Sequence, residues 1–379
     1  MKKKVFAVMF GIVFCMALFT GCGKAAEETQ SNVPETTDEI SDREPDTGDE
    51  VSDRRSDTAD EVSDSEPEIT GGGTEAADDA ADVNIRVGSL KGPTSMGLVY
   101  LMSQSEAGEA EGSYAFTMAA AADELLPKMV SGDLDIVLVP ANVASVLYHK
   151  TEGGVSVLDI NTLGVLYMVS GDTSIQSMED LKDKTIYLTG KGTTPDYVLQ
   201  YLLTENGLTT DDVTLEYKSE AAEVAALLKE EPSSIGVLPQ PFVTAACMQN
   251  ETLSIVMDLT AEWSAIQGEG GSSLVTGVTV VRNDFLAENP EAVREFMEEH
   301  EASAAYANEN VEAAAELVAS YGIVEKAPVA AKAMPYCNIT YIDGADMQAA
   351  LSGYLEVLYE KDASSVGGSL PADDFYYIP

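Results

Sequence analysis

Two consecutive stretches of this chain carry the same order of elements, and that order is the strongest restriction on what it can fold into. In the first, 84–90 reads as a strand, 91–95 as a polar loop and 96–104 as a helix. A strand at 114–120, a helix at 122–131 and an apolar strand at 135–139 follow. Pro140-Ala141-Asn142 ends that strand, and a helix at 143–148 comes next. The second stretch runs strand 185–188, loop 190–195, helix 196–206, strand 213–217, helix 221–230 and strand 234–238. It then turns at Pro239-Gln240-Pro241 into a helix at 242–249. Alternation of strands and helices predicts mainly parallel sheets flanked by helices. Its recurrence predicts two similar α/β lobes. After a glycine-rich loop at 268–273 the chain returns as a strand at 274–282, and Asn289-Pro290 opens a helix over 291–308. More helix is expected over 349–359.

Charge narrows the partners. The chain has 65 acidic and 21 basic residues, a formal net charge of -44. Of these, 44 acids and 14 bases lie from Asn84 onward, so the acidity belongs to the folded part as well as to what precedes it. Such a surface repels nucleic acid and favours a soluble monomer. The two histidines, His149 and His300, are far apart and lie near no cysteine, so no metal site and no cofactor are expected. Cys247 and Cys337 do not make a disulfide framework and read as small buried thiols.

The first 21 residues read as a secretory signal. Lys2-Lys3-Lys4 precede an apolar run, and Phe19-Thr20-Gly21-Cys22 closes it. The close resembles the lipobox of bacterial lipoproteins, which implies cleavage before Cys22, lipid on its sulfur and an extracytoplasmic, membrane-anchored protein. The alternative is an uncleaved anchor, with the same sidedness. Residues 22–83 read as a disordered acidic tether. They contain an eleven-residue repeat: EISDREPDTGD from Glu39, EVSDRRSDTAD from Glu50 and EVSDSEPEITG from Glu61. A flexible coil of about 60 residues spans roughly 45 Å.

Four segments resemble one family. They are IRVGSLKGPTSMGL from Ile85, ELLPKMVSGDLDIVLVPAN from Glu124, SMEDLKDKTIYLTGKGTTPDYVLQYLL from Ser177 and VVRNDFLAENPEAVREFM from Val280. Their order resembles the substrate-binding lipoproteins of ATP-driven (ABC) importers with the type 2 periplasmic binding fold. The nearest branch is the one that binds nitrate, taurine, sulfonates or thiamine-type pyrimidines. The resemblance implies a first lobe of 84–166 and 275–379 and a second lobe of 167–274 with hinge crossovers, near 165–170 and 270–275. It also implies a cleft that captures a small molecule and a membrane permease that receives it.

Candidate contacts follow from the strand ends, where ligands of doubly wound folds sit. In the first lobe these are Lys91, Thr94, Ser95 and Asn142. In the second they are Gly192, Thr193, Thr194 and Gln240, with Tyr167 on the crossover and Trp263 before the glycine-rich loop. Thr94 and Ser95 equally fit a helix cap, and Tyr167 and Trp263 equally fit ordinary packing. Gly190-Lys191-Gly192-Thr193-Thr194 lacks the spacing of a nucleotide phosphate loop. Hydroxyls at helix starts suit an oxyanion such as a sulfonate or nitrate. Amides and aromatic rings suit a planar heterocycle, which is the preferred reading. No catalytic constellation is legible: there is no Gly-x-Ser-x-Gly elbow, and neither histidine lies in a triad context. An enzyme on the same fold, or a surface interaction protein without a deep cleft, stands as the alternative.

Overall fold

The computed structural model describes residues 83–268 and 270–379. The signal, the lipobox with Cys22 and all of the tether but Val83 lie outside that range. Among the described residues no helix is long and apolar enough to cross a membrane.

The chain forms two sheets. Strands β1 (Asn84–Leu90), β2 (Ser113–Ala119), β3 (Ile136–Pro140) and β4 (Val155–Leu163) open the first lobe, with helices α1 (Pro93–Met96), α2 (Val99–Ala107), α3 (Leu126–Ser131) and α4 (Ala141–Lys150). Strands β5 (Leu166–Ser170), β6 (Thr185–Thr189), β7 (Thr214–Lys218), β8 (Ile235–Pro239) and β9 (Ser254–Asp258) make the second sheet. Its helices are α5 (Thr194–Glu205), α6 (Ala221–Glu230), α7 (Phe242–Gln249) and α8 (Leu259–Gln267). The chain then returns through β10 (Val275–Arg282), α9 (Asn283–Glu288), α10 (Pro290–Glu309), α11 (Val311–Ser320), α12 (Ala327–Ala333), β11 (Ile339–Asp343) and α13 (Gly344–Lys361). The sheet orders are β11-β4-β10-β3-β1-β2 and β7-β6-β8-β5-β9.

Both sheets are mixed. β1 pairs in parallel with β2 and β3, and β6 with β7 and β8. The returning strands β10 and β5 run antiparallel to both of their neighbours. The cause is geometric. β4 ends at Leu163 and β5 begins at Leu166, so only Gly164-Val165 joins the sheets. A strand entered from that edge must run away from it. Hence the carboxyl ends of β1, β3 and β4 share one edge of the first sheet, and those of β6, β8 and β9 share the facing edge of the second. The topology thus brings the polar loops of both lobes to the same crossover.

Four of the strands, β4, β5, β9 and β11, are not legible as strands in the sequence. Residues 165–170 read as a connection, yet β5 is buried along its whole length. A fully buried strand has no alternation to display. The helix expected over 96–104 is split at Gly97-Leu98. A Cβ on Gly97 would meet the Ile339 side chain at 3.1 Å and Ala304 at 3.6 Å, so that backbone is pressed against β11 and α10.

One apolar core runs through both lobes. It includes Val139, Val157 and Leu351 in the first and Met168, Leu188 and Val198 in the second. At the opposite end of the first sheet, Asp135 is fully buried. It accepts hydrogen bonds from Arg86 N (2.9 Å), Arg86 Nε (2.8 Å) and Arg282 Nη2 (3.0 Å), tying β1, β3 and β10 together. Burial works to raise its pKa, but these donors outweigh it and hold the carboxyl below the usual range.

Candidate functional site

The site is built from four strand ends and the crossover between them. In the first lobe, the loop after β1 folds onto itself. Ser95 bonds to Leu90 O and to the Ser89 hydroxyl, and Thr94 Oγ1 donates to Leu90 O at 3.3 Å. Both side chains are buried. The helix they open, α1, is a single turn of four residues, so it lacks the aligned peptide dipoles of a long helix. Lys91 is exposed, and its Nζ lies 4.0 Å from the Cβ position of Gly322, at the end of α11. At the end of β3, Asn142 Nδ2 donates to Ser365 O at 3.4 Å and Ser145 Oγ to Val366 O at 2.6 Å. The 3-10 turn Ala363–Val366 therefore covers the start of α4.

The loop after β6 is organised by a carboxylate absent from the sequence-based set. Asp196, in the first turn of α5, is 3% exposed. It accepts from Gly192 N (2.8 Å), Gln200 Nε2 (2.7 Å) and the Tyr217 hydroxyl (2.7 Å). Thr193 Oγ1 donates to Gly190 O at 2.6 Å. Gly190 and Gly192 adopt φ of 73° and 70°, which the tight loop requires. The Asp196 carboxyl thus already occupies the Gly192 N–H, a backbone donor that an anion would use. Thr194 is half-buried and hydrogen-bonded to Tyr354 of α13.

Gln240 and Tyr167 lie beside the crossover. Gln240 N donates to Val165 O at 3.0 Å, and its Oε1 accepts from Thr244 N and Oγ1. Its buried Nε2 has no hydrogen-bond partner among the described residues. Tyr167 is 2% exposed and donates to Tyr336 O at 2.7 Å. Burial pushes its phenol up. From the other side, Asn338 Nδ2 donates to Gly164 O at 2.5 Å. Thr260 Oγ1, also buried without a partner, lies 2.2 Å from the Cβ position of Gly164. Only glycine fits there.

Trp263 stands in the joint of the lobes and is fully buried. Its ring packs between Tyr201 of α5 (4.6 Å) and Tyr354 of α13 (5.7 Å), and Nε1 donates to Ser272 O at 3.1 Å. A direct bond also spans the lobes here: the Tyr197 hydroxyl of α5 donates to Asp362 Oδ2 at 2.9 Å.

The structure therefore gathers Gly192, Thr193 and Thr194 in one loop, with Trp263 joined to Thr194 through Tyr354. Gln240 and Tyr167 flank the crossover, Asn142 faces the turn after α13, and Lys91 reaches elsewhere. The residues missed by sequence reasoning are Asp196, Tyr197, Thr260, Asn338, Tyr354 and Asp362. An acid two residues after Thr194 was a local signal for Asp196. The others have none, because their partners are remote in the chain. His149 Nε2 lies 2.7 Å from Ser369 O, and His300 is buried 3.4 Å from Asp159. Among the described residues, no group of three His, Cys, Asp or Glu side chains could hold a metal ion. Cys247 and Cys337 form no disulfide.

Comparison with known proteins places this geometry in context. Residues 85–360 match the model of a family described as Menaquinone biosynthesis. A protein of Brucella abortus (strain 2308), provisionally named a binding protein, is 25% identical over 181 residues, 48% of this chain and 54% of its own length. The chain thus spans about half the length of the curated relatives it matches. Among solved structures, an ABC transporter from Parabacteroides distasonis has a TM-score of 0.66 at 22% identity, covering 79% of this chain and 99% of that one. The periplasmic aliphatic sulphonate binding protein from Escherichia coli has a TM-score of 0.62 at 16% identity, with coverages of 78% and 92%. These likenesses show the fold of periplasmic binding proteins. With most of its described residues inside the matched span, the chain belongs to the family described as Menaquinone biosynthesis, built on the two-lobed periplasmic-binding fold.

Proposed function

We propose that this protein is an extracytoplasmic solute receptor, anchored through lipid on Cys22, that captures a small organic molecule between its lobes and delivers it to the permease of an ATP-driven importer. The observation that carries the reading is the convergence of both sets of strand ends on the Gly164-Val165 crossover. Open sheets of this kind bind ligands at such edges, and differential affinity for the closed arrangement drives closure. Lobe limits of 84–166 with 275–379, and of 167–274, are part of this reading; strand membership supports them except at Leu166, which pairs with Pro239 in the second sheet. Thr94, Ser95, Asn142, Thr193, Thr194 and Gln240 are the ligand contacts of this reading. The unpartnered Nε2 of Gln240 supports that role, since a buried amide without a partner costs about 1–3 kcal/mol.

The ligand is a neutral or cationic planar heterocycle rather than a sulfonate or nitrate. Asp196 supports this choice: its carboxylate occupies the loop of the second lobe, and the corresponding helix of the first lobe is one turn long. The test is a thermal-shift panel of aminopyrimidines, thiamine, riboflavin, taurine, alkylsulfonates and nitrate, since a ligand that binds only the native state raises Tm. A shift with the heterocycles alone agrees with the proposal. A shift with the sulfonates or nitrate refutes the ligand class and leaves the receptor standing.

The family description favours a second reading, an enzyme that acts on a small organic molecule in the same cleft. Mass analysis of each shifting compound after incubation separates the two. An unchanged compound agrees with a receptor, and a converted one establishes an enzyme.

A further inference from the structure

A second recess lies away from the strand ends. It is a groove of about 620 Å³, within the range of small-molecule sites. One wall belongs to the second lobe: Cys247 and Met248 of α7, Ile255 of β9, and Glu251 in the turn between them. The other belongs to the first lobe: Lys332 of α12 and Tyr336, which follows it. Met248 is 42% exposed and Tyr336 46%, so apolar surface from both lobes faces solvent here. Glu251 and Lys332 are exposed at this groove, and among the described residues neither has an ion-pair or side-chain hydrogen-bond partner.

An apolar trough with one unpaired acid and one unpaired base is complementary to a particular kind of molecule. Its body must be apolar, and it must carry both charges. A ligand with a single charge would leave one rim uncompensated, and a neutral one would leave both. We propose that this groove is a binding site for a small zwitterion with an apolar body, of the size and chemistry of an apolar dipeptide. Its carboxylate faces Lys332, its ammonium faces Glu251, and its side chains lie against Met248, Ile255 and the Tyr336 ring. Because the two charged rims belong to different lobes, an occupant ties the lobes together. Its affinity is then coupled to any ligand that changes their angle. The groove adjoins the cleft through Thr244, which bonds to Gln240, and Tyr336, whose carbonyl accepts from Tyr167, so it is tested with no cleft ligand added.

Cys247 supplies the readout. It is half-buried in the groove wall, and burial pushes its thiol up, so alkylation by N-ethylmaleimide is followed at about pH 8.5. Peptide mapping of the full chain separates it from the other cysteines. Cys337 is fully buried, with its thiol pushed up to about 12 by burial, and reports general opening. Leucyl-leucine is expected to slow Cys247 labelling while N-acetyl-leucyl-leucinamide, which has neither charge, does not. Lys332→Gln and Glu251→Gln should each weaken that protection by about two- to fivefold, the loss of one exposed ion pair. Absence of protection, equal protection by the neutral analogue, or unchanged protection in both variants overturns the proposal.

Discussion

The bond between Tyr197 and Asp362 makes a latch whose weight can be worked out. The phenol is 7% exposed and donates to Asp362 Oδ2 at 2.9 Å, from the second lobe to the first. A hydrogen bond to a charged acceptor contributes about 1.5–3 kcal/mol when well buried. Asp362 is only half-buried, so water replaces part of the bond when it breaks. Tyr197→Phe should therefore cost the joined arrangement about 1 kcal/mol, a roughly fivefold change in the ratio of joined to parted molecules. Trp263, the only tryptophan, lies between a ring from each lobe and reads that change through acrylamide quenching of its emission. Quenching should rise in the variant. The pH dependence adds a sign. Burial first, then the bond to Asp362, push the Tyr197 phenol up to about 12. A raised folded value means that its contribution is complete below about 10 and is lost as pH climbs through about 12. Hydrogen bonds from Ser364, and then the Tyr197 hydroxyl, hold the Asp362 carboxyl below its ordinary value. Its contribution is complete above about 4 and is lost as pH falls below that. The difference between wild type and Tyr197→Phe should be steady at neutral pH and vanish near both limits. Equal quenching in the two proteins at neutral pH, or a difference that persists near pH 12, would refute the latch.

Three further outcomes follow from the packing. Asp135→Ala removes the shared acceptor of Arg86 and Arg282; Arg86 can hydrate and Arg282 keeps Asp284 and Leu134 O, so the loss should be about 1–3 kcal/mol, read as a lower urea midpoint at constant m. Because the Asp135 carboxyl is held low, wild-type stability from this cluster should fade as pH drops below about 4, and the variant should lack that slope. Gly164→Ala should cost about 1–3 kcal/mol, since its Cβ would lie 2.2 Å from Thr260 Oγ1 and 2.5 Å from Leu274. Thr260→Ala alone should be nearly neutral, and the double variant should lose less than the sum. Trp263→Ala should cost about 3–5 kcal/mol, measured by denaturant melts, and an effect below about 1 kcal/mol would show that the joint is not packed as described.

The order of elements over 84–148 and again over 185–249 was legible because local pattern marks it: short apolar runs bounded by glycine and proline read as strands, and the helices between them carry their own periodicity. The helix expected over 291–308 is found at Pro290–Glu309, since Asn289-Pro290 marks its start without help from elsewhere. The candidate loops were legible for the same reason. Who satisfies their donors was not. Asn142 meets Ser365, Tyr167 meets Tyr336, Tyr197 meets Asp362, and Asn338 meets Gly164, each pair separated by more than 160 residues. Nothing in a local window encodes such a partner. The strands β4, β5, β9 and β11 and the role of Trp263 as the joint belong to the same class. The sequence by itself determined two α/β lobes and the loops at their strand ends. The tertiary structure alone decided the reversed strands, the one-turn first helix and the Tyr217 hydroxyl that meets Asp196 from β7. Hydrogen bonding and burial are settled by what lies across the fold, and chain order does not record it.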